Sequence, residues 1–244
     1  MVDLTGRVAL VTGSSSGIGA AIGAALAGHG ARVVVNSASS VDAGQRVAAE
    51  LPDAFYVQAD VGEQPEAARL VAAAVERYGR LDVVVNNAGT TEVIAHHDLG
   101  AVTSEIWERL LRVNLLGAWN VIQAAAPHLR VSGDGVVVNI TSLAGVRPTG
   151  SSIPYAVTKA ALNHLTVLLA SVLGPEIRVN AVAPGLIDTP WTADWDAIRH
   201  AVRQMAPLRR SGTPEDVAEA CVGLVGARYT TGQVLLVDGG MALR

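Results

Sequence analysis

Seven short blocks rich in β-branched residues recur along the chain, and longer stretches rich in alanine and leucine separate them. Within the blocks, apolar residues follow one another without the strict alternation expected of a strand with one solvated face. Continuous apolar blocks of this length are typical of strands buried on both faces, as in a parallel sheet. The predicted strands are Arg7–Thr12, Arg32–Asn36, Ala54–Gln58, Leu81–Asn86, Gly135–Ile140, Arg178–Val182 and Gln233–Val237.

The stretches between these blocks have helical character. Strands that alternate with helices indicate right-handed crossovers, so we predict an α/β fold with a doubly wound parallel sheet flanked by helices. No repeat, low-complexity tract or linker divides the 244 residues, which predicts one domain, 1–244. The predicted helices are Gly17–His29, Ala43–Leu51, Pro65–Tyr78, Ser104–Leu129, Tyr155–Leu173 and Pro214–Val225.

The region Leu186–Ser211 follows a predicted strand and holds a proline, a short helical pattern and two tryptophans, Trp191 and Trp195. In open parallel sheets, ligands bind beyond the carboxyl ends of the strands, and inserted loops there cover them. We therefore predict a lid over a ligand at about residues 186–211, with the two tryptophans either lining a pocket or anchoring the lid.

The composition gives no reason to expect a nucleic acid or an anionic membrane as partner, because the formal net charge is −4. Cys221 is the only cysteine, which excludes an intramolecular disulfide and is typical of a reducing compartment. The amino terminus lacks a signal-peptide pattern, and no uninterrupted apolar run reaches the ~20 residues of a membrane span. These features predict a soluble, cytoplasmic protein.

A glycine-rich turn joins the first predicted strand to the first predicted helix. Gly13, Gly17 and Gly19 follow the pattern T-G-x-x-x-G-x-G. Such a turn lets the backbone approach a pyrophosphate, points amides at it and places it at a helix start, where the dipole favours anions. The sequence therefore predicts a dinucleotide-binding turn.

Lys159 is the only lysine among the 18 Lys and Arg residues of the chain, and it lies four residues after Tyr155. On a helix, two residues at this spacing share one face. A nearby cation favours the phenolate and lowers the pKa of a tyrosine, which makes it usable as a general acid or base. We predict that the site needs a slender ammonium rather than the planar fork of an arginine.

These motifs, in this order, resemble the short-chain dehydrogenase/reductase family along nearly the whole chain, and most closely its 3-oxoacyl-[acyl-carrier-protein] reductase type. The resemblance implies a Rossmann-type sheet of strand order 3-2-1-4-5-6-7, a nicotinamide dinucleotide and a homotetramer. Beside the glycine turn, it rests on Asp60–Val61, Asn86–Gly89, Val113–Asn114, Ser142, Tyr155–Lys159, Pro184–Gly185 and Asp238–Gly240.

The resemblance also implies four catalytic residues: Asn114, Ser142, Tyr155 and Lys159. Tyr155 would protonate the carbonyl oxygen during hydride transfer, Ser142 would orient that oxygen, Lys159 would tune the tyrosine, and Asn114 would support a proton relay. No metal is needed. His96, His97 and Asp98 lie together in sequence, but adjacent histidines point in different directions, so we predict no metal site there.

The cofactor contacts implied by the resemblance include the catalytic tyrosine and lysine. The second predicted strand ends in "NSASS", which lacks the carboxylate that would hold an adenosine 2′-hydroxyl and repel a 2′-phosphate. This favours NADP(H) over NAD(H). The predicted contacts are Gly13, Ser15, Ser16, Gly17, Ile18, Gly19, Asn36, Ser37, Asp60, Val61, Asn87, Ala88, Gly89, Tyr155, Lys159, Pro184, Gly185, Ile187 and Thr189.

The leading prediction is a reductase of a ketone or a 3-oxoacyl thioester. An NAD-dependent dehydrogenase that oxidises a sugar, polyol or hydroxysteroid is an alternative, as is a non-catalytic regulator that senses a dinucleotide. The four catalytic residues argue against the regulator. We expect the lid and the loops Thr90–Val102 and Gly145–Ile153 to determine the substrate.

Overall fold

The computed structural model describes residues 2–244, and its seven strands form one sheet in the order β3-β2-β1-β4-β5-β6-β7. All neighbouring strands pair in parallel. The predicted α/β fold and strand order are therefore confirmed. The strands are β1 (Val8–Val11), β2 (Arg32–Ser37), β3 (Ala54–Gln58), β4 (Val83–Asn86), β5 (Gly135–Ile140), β6 (Ile177–Pro184) and β7 (Val234–Val237).

Helices connect the strands and cover both faces of the sheet. They are α1 (Gly17–Gly28), α2 (Val41–Glu50), α3 (Gln64–Tyr78), α4 (Ser104–Leu111), α5 (Gly117–Ser132), α6 (Ile153–Leu173), α7 (Asp196–Met205) and α8 (Pro214–Gly226). One apolar core joins the sheet to α1 and α8, and a second joins its other face to α3, α5 and α6. Because every residue of β1, β4 and β5 is buried, the continuous valine blocks are explained by this two-sided burial.

The helix predicted over Ser104–Leu129 is divided by a π-helical turn, Arg112–Leu116, which separates α4 from α5. The side chain of Asn114 in this turn faces inward and bonds to residues outside the helix. π-helical turns of this kind are frequent at functional sites. The break between α4 and α5 therefore falls at Asn114, which the sequence predicts as a catalytic residue.

Among the described helices, α6 is the one with the length and apolar composition of a membrane span. One face of it packs into the core, where Leu169 is buried against the sheet. A core helix of a folded domain meets the same criteria, so this composition is explained by its place between the sheet and the surface.

Candidate functional site

A cleft of about 900 Å³ opens beyond the carboxyl ends of the central strands β1, β4, β5 and β6. The loops that follow these strands form its walls, and α6 forms part of its floor. Most residues predicted as functional line it together, although they are far apart in sequence. They are Gly13, Ser15, Ser16, Gly17, Ile18, Gly19, Asn87, Ala88, Gly89, Ser142, Tyr155, Lys159, Pro184, Gly185, Ile187 and Thr189.

The glycine turn is packed so closely against the loop after β4 that side chains would not fit. A Cβ atom at Gly13 would lie 2.7 Å from the Cα of Ala88, and one at Gly19 would lie 2.5 Å from Nδ2 of Asn87. Gly13 and Gly17 also have positive φ angles of 61° and 53°, a region that favours glycine. The spacing of these glycines is therefore required by the shape of the cleft wall.

The start of α1 lies in this turn and has no side-chain cap. Ser16 precedes the helix in an extended conformation without a capping hydrogen bond, and the first turn contains no acidic residue. The first amides of a helix have no partner within it and carry partial positive charge. This end of α1 therefore suits an anion such as a pyrophosphate.

Asn87 joins the loop after β4 to the glycine turn. Its Nδ2 donates to the carbonyl oxygens of Thr12 and Gly13 at 3.0 and 2.9 Å. The hydroxyl of Thr12 in turn accepts from the backbone amides of Asn87 and Ala88, each at 3.0 Å. These bonds hold two walls of the cleft in a fixed relation.

The first turns of α6 carry Tyr155 and Lys159 into the cleft. The Ser152 hydroxyl accepts from the Tyr155 amide at 3.3 Å and caps the helix, and Pro154 lies in its first turn. The four-residue spacing then places the Lys159 amine 5.7 Å from the centroid of the Tyr155 ring. The prediction that they share one helix face is confirmed.

Ser142 follows β5 and lies beside this face of α6. The turn after it approaches α6 so closely that a Cβ at Gly145 would lie 2.7 Å from the backbone carbon of Lys159. The Ser142 oxygen accepts from the amide of Ala144 at 3.1 Å. That bond occupies one lone pair and orients the oxygen, so the hydroxyl hydrogen can be donated to Tyr155 or to a ligand.

Lys159 is 4% exposed, and its amine donates to the carbonyl oxygen of Ile140 at 2.9 Å. No carboxylate of residues 2–244 lies within salt-bridge distance of it. Burial without an opposite charge disfavours the ammonium form and lowers the pKa of Lys159 from 10.5 to about 8. The Lys159 ammonium therefore loses its proton much closer to neutral pH than an ordinary lysine does.

The pKa of Tyr155 is raised above its usual value by burial, which outweighs the hydrogen bond from Ser142 that acts in the opposite direction. The net shift is therefore upward, opposite to the lowering that the sequence predicts. The amine lies 5.7 Å from the ring centroid and is itself buried, so desolvation of the phenolate dominates. A raised pKa keeps Tyr155 protonated at neutral pH, as a proton donor requires.

Asn114 does not line the cleft but supports it from behind. Its Oδ1 accepts from the amide of Thr90 at 2.8 Å, and its Nδ2 donates to the carbonyl of Thr90 and the hydroxyl of Thr158, each at 3.0 Å. Thr158 directly precedes Lys159 on α6. The side chain therefore fixes the loop after β4 against the catalytic helix.

Asn36 and Ser37 also lie outside the lining of the cleft. Asn36 is 1% exposed; its amide oxygen accepts from Gly13 at 3.3 Å, and its nitrogen donates to two backbone carbonyls at the end of β3. The Ser37 hydroxyl bonds to that of Tyr56 at 2.9 Å. Asn36 therefore supports the glycine turn and Ser37 bonds across to β3, while their contact with the cofactor stays a prediction.

Asp60 and Val61 follow β3 and likewise do not line the cleft. The Asp60 carboxylate accepts from Arg112 at 2.8 Å and from the Gly62 amide at 2.9 Å. Although burial favours the neutral acid, these bonds hold the pKa of Asp60 below its usual value. Val61 is 5% exposed within the core on the α3 side.

The other half of the cleft is largely apolar. It draws residues from both loops and the lid that the sequence predicts as substrate-determining, including both tryptophans. Met241, from the tail after β7, was not predicted; the Asp238 carboxylate accepts from the amides of Gly240 and Ala242 and folds this tail back. The additional lining residues of the cleft are Thr91, Val93, Ile94, Ala95, His96, Ile140, Thr141, Leu143, Ala144, Pro148, Thr149, Gly150, Ser151, Leu186, Pro190, Trp191, Thr192, Trp195, Ile198, Val202 and Met241.

The lid region is organised by Arg199 of α7. Its guanidinium donates to the carboxylates of Asp188 and Asp196, each at 2.8 Å. It also donates to the carbonyls of Thr192 and of Ala193, the latter at 3.1 Å. One guanidinium therefore joins the segment after β6, the short turn Pro190–Thr192 and α7.

The chain as a whole resembles known oxidoreductases. A family model described as enoyl-(acyl carrier protein) reductase matches residues 13–242. A Streptomyces violaceoruber protein assigned as ketoacyl reductase 2 of the granaticin polyketide synthase is 61% identical over 97% of this chain and 96% of its own length.

More distant relatives cover the chain equally well. A Synechocystis 3-oxoacyl-[acyl-carrier-protein] reductase is 38% identical over the full length of both chains. The structure of a doubly substituted short-chain dehydrogenase/reductase from Serratia marcescens has a TM-score of 0.92 and 34% identity, over 98% of this chain and 99% of that one. Sequence, strand order and cleft thus agree, and the chain belongs to the short-chain dehydrogenase/reductase family of oxidoreductases.

Proposed function

We propose that this protein is an NADPH-dependent reductase of 3-oxoacyl thioesters or closely similar ketones, working as one domain with a lid at residues 186–211. The observation that carries the proposal is the convergence of Ser142, Tyr155 and Lys159 in a cleft with a glycine-turn half and an apolar half. The relatives named as ketoacyl and 3-oxoacyl-[acyl-carrier-protein] reductases support this substrate class.

The glycine-turn half of the cleft fits a dinucleotide. Its close-packed glycines and the uncapped start of α1 suit the pyrophosphate, and the Lys159 amine lies deeper in the same cleft as a donor for ribose hydroxyls. When bound, the nicotinamide supplies the hydride that reduces the carbonyl carbon. The sequence predicts a set of cofactor-binding residues, and we propose that those members of the set that line the cleft hold the cofactor.

The protein's own residues then act on the carbonyl oxygen. The Ser142 hydroxyl donates a hydrogen bond to that oxygen and orients it, while the Tyr155 phenol donates its proton to the oxygen as negative charge develops. The Lys159 ammonium stabilises the phenolate that remains until a proton returns. Asn114 holds the loop after β4 in a fixed position against α6.

Oxidation of an alcohol would use the same groups in reverse, with Tyr155 accepting the proton that it donates in reduction. The relatives named as ketoacyl and 3-oxoacyl-[acyl-carrier-protein] reductases favour the reductase over this alternative.

The experiment that tests the proposal is consumption of NADPH with acetoacetyl-CoA, run beside the same assay with NADH. Turnover that prefers NADPH is the expected result. Protein that binds NADPH, shown by enhanced nucleotide fluorescence, but turns over neither acetoacetyl-CoA nor simple ketones would contradict the proposed function.

The preference for NADPH leads to a prediction at Ala38, the exposed residue directly after β2. Ala38→Asp is expected to raise the KM for NADPH about tenfold and to leave that for NADH nearly unchanged, because a carboxylate there would repel a 2′-phosphate. Initial-rate kinetics with both nucleotides test this. The neutral control Ala38→Asn should behave as wild type; an equal rise for both nucleotides would contradict the preference.

A second prediction concerns the lid. Arg199→Ala is expected to raise the KM for the carbonyl substrate about tenfold with a smaller effect on kcat, since the lid loses its central set of hydrogen bonds while the catalytic residues stay in place. Arg203→Ala, at an exposed position of the same helix, is the matched control. A loss confined to kcat, or equal effects of the two variants, would show that Arg199 does not order the lid.

We further propose a cytoplasmic homotetramer. Two surfaces expose large apolar side chains: one on α5 and α6, and one at β7, which ends the sheet with an unpaired edge. Both are suited to burial by further copies of the chain. The exposed residues are Trp119, Val131, Val157, Leu168, Val172, Leu235 and Leu236.

A further inference from the structure

The chain ends in a short tail after β7 that turns back over the cleft. The carboxylate of Asp238 accepts from the amides of Gly240 and Ala242 at 2.8 and 2.7 Å. Gly239 and Gly240 have positive φ angles of 63° and 87°, which glycine adopts more readily than other residues. The tail therefore reverses direction directly after the sheet and brings Met241 to the wall of the cleft.

Two neighbouring segments hold the tail in this position. The amide of Leu208, which follows α7 in the lid, donates to the carbonyl of Gly239 at 3.1 Å. On the other side, the guanidinium of Arg147 donates to the carbonyl of Ala242. Arg147 belongs to the loop Gly145–Ile153, so the tail is bound to two of the segments that are expected to determine the substrate.

Met241 is the residue of the tail that is open to the cleft. It is partly exposed and lines the cleft, and it packs against neither apolar core of residues 2–244. Its neighbour Ala242 is buried, while Leu243 is 82% exposed and does not line the cleft. The short helical turn Met241–Leu243 thus presents one side chain to the space for a ligand.

The cleft wall that includes Met241 suits hydrocarbon rather than a charged group. No aspartate, glutamate or arginine of residues 2–244 lines the cleft. Ile198 and Val202 of α7 line it, and α7 leads to the Leu208 amide that binds the tail. A methionine side chain is unbranched, flexible and apolar, and it offers no hydrogen-bond donor. Met241 is therefore suited to fill space beside a carbon chain and poorly suited to anchor a polar substituent.

We propose that Met241 is a specificity-determining residue that limits the length of the acyl chain of the substrate. The proposal rests on the proposed reductase function and concerns the hydrocarbon end of the substrate, beyond the carbonyl that is reduced. Because the tail is bound on both sides, it resists displacement by a longer chain, and the Met241 side chain occupies space that such a chain would need. A smaller residue at this position is expected to admit longer chains, and a larger one to exclude them.

The test measures NADPH consumption with the N-acetylcysteamine thioesters of 3-oxobutanoic, 3-oxooctanoic and 3-oxododecanoic acid. The ratio of kcat/KM for the longest thioester to that for the shortest is expected to rise on the order of tenfold in Met241→Ala and to fall about as much in Met241→Trp. Met241→Leu, which nearly conserves the side-chain volume, should keep the wild-type ratio. Opposite shifts in two variants are a result that a simple loss of structure does not produce.

Leu243→Ala is the matched control, since it shortens an exposed apolar side chain in the same turn and should keep the wild-type ratio. If Met241→Ala and Met241→Trp change kcat/KM by the same factor for all three thioesters, or shift the ratio in the same direction, the inference is wrong and the residue serves only the structure of the tail. An equal shift in Leu243→Ala would also overturn it. A wild type that reduces none of the thioesters would instead contradict the proposed function, and this inference would fall with it.

Discussion

Replacing Tyr155 with phenylalanine is expected to lower kcat for carbonyl reduction by about 10²–10⁴-fold and to leave NADPH binding nearly unchanged. The substitution removes the one proton that the site can deliver to the carbonyl oxygen and keeps the ring that packs at the start of α6. Single-turnover kinetics with acetoacetyl-CoA, beside fluorescence titration of NADPH, separate the two effects.

The chain offers a close control for this substitution. Tyr229→Phe makes the same chemical change at a fully exposed tyrosine and should retain wild-type kcat. A Tyr155→Phe variant that keeps more than about a tenth of the activity would show that another group, or water, protonates the oxygen. The assigned mechanism would then be wrong even if the cofactor and substrate were as proposed.

The fold could be predicted from sequence because its determinants are local and strong. Continuous valine blocks require two-sided burial, and glycines that follow a strand and precede a helix are needed where a Cβ would meet the neighbouring loop. The catalytic residues could be placed for a similar reason: Tyr155 and Lys159 share a helix face whatever surrounds them. Ser142 is brought to that face by the close approach of Gly145 to α6.

The hydrogen-bond partners of individual polar groups could not be predicted from the sequence. The amide of Asn36, which is predicted to contact the cofactor, bonds to Gly13 and β3 in the structure, since buried polar groups must find partners wherever the packing provides them. The pKa of Tyr155 was expected to fall, but its direction depends on burial and on the 5.7 Å to the amine, which only the fold determines. Met241 enters the cleft because the tail after β7 folds back, and no local sequence pattern predicts this turn.

Lys159→Arg is expected to lower kcat by about 10²-fold or more although it keeps the positive charge. The lysine is 4% exposed, and the carbonyl of Ile140 accepts from its amine. A guanidinium is larger and has five N–H donors, for which this buried position offers too few acceptors. Lys159→Met should lose at least as much; an arginine variant close to wild type would show that charge alone is required.

The pH dependence gives an independent test of the same residue. Because burial lowers the pKa of Lys159 to about 8, the ammonium is present below that pH and is lost as the pH rises through it. Tyr155, with its raised pKa, stays protonated over this range, so kcat/KM for reduction in the wild type should fall above about pH 8 because of the lysine. An arginine stays charged throughout, and the residual activity of Lys159→Arg should therefore lack this decline. A decline that persists unchanged in the variant would assign it to a group other than Lys159.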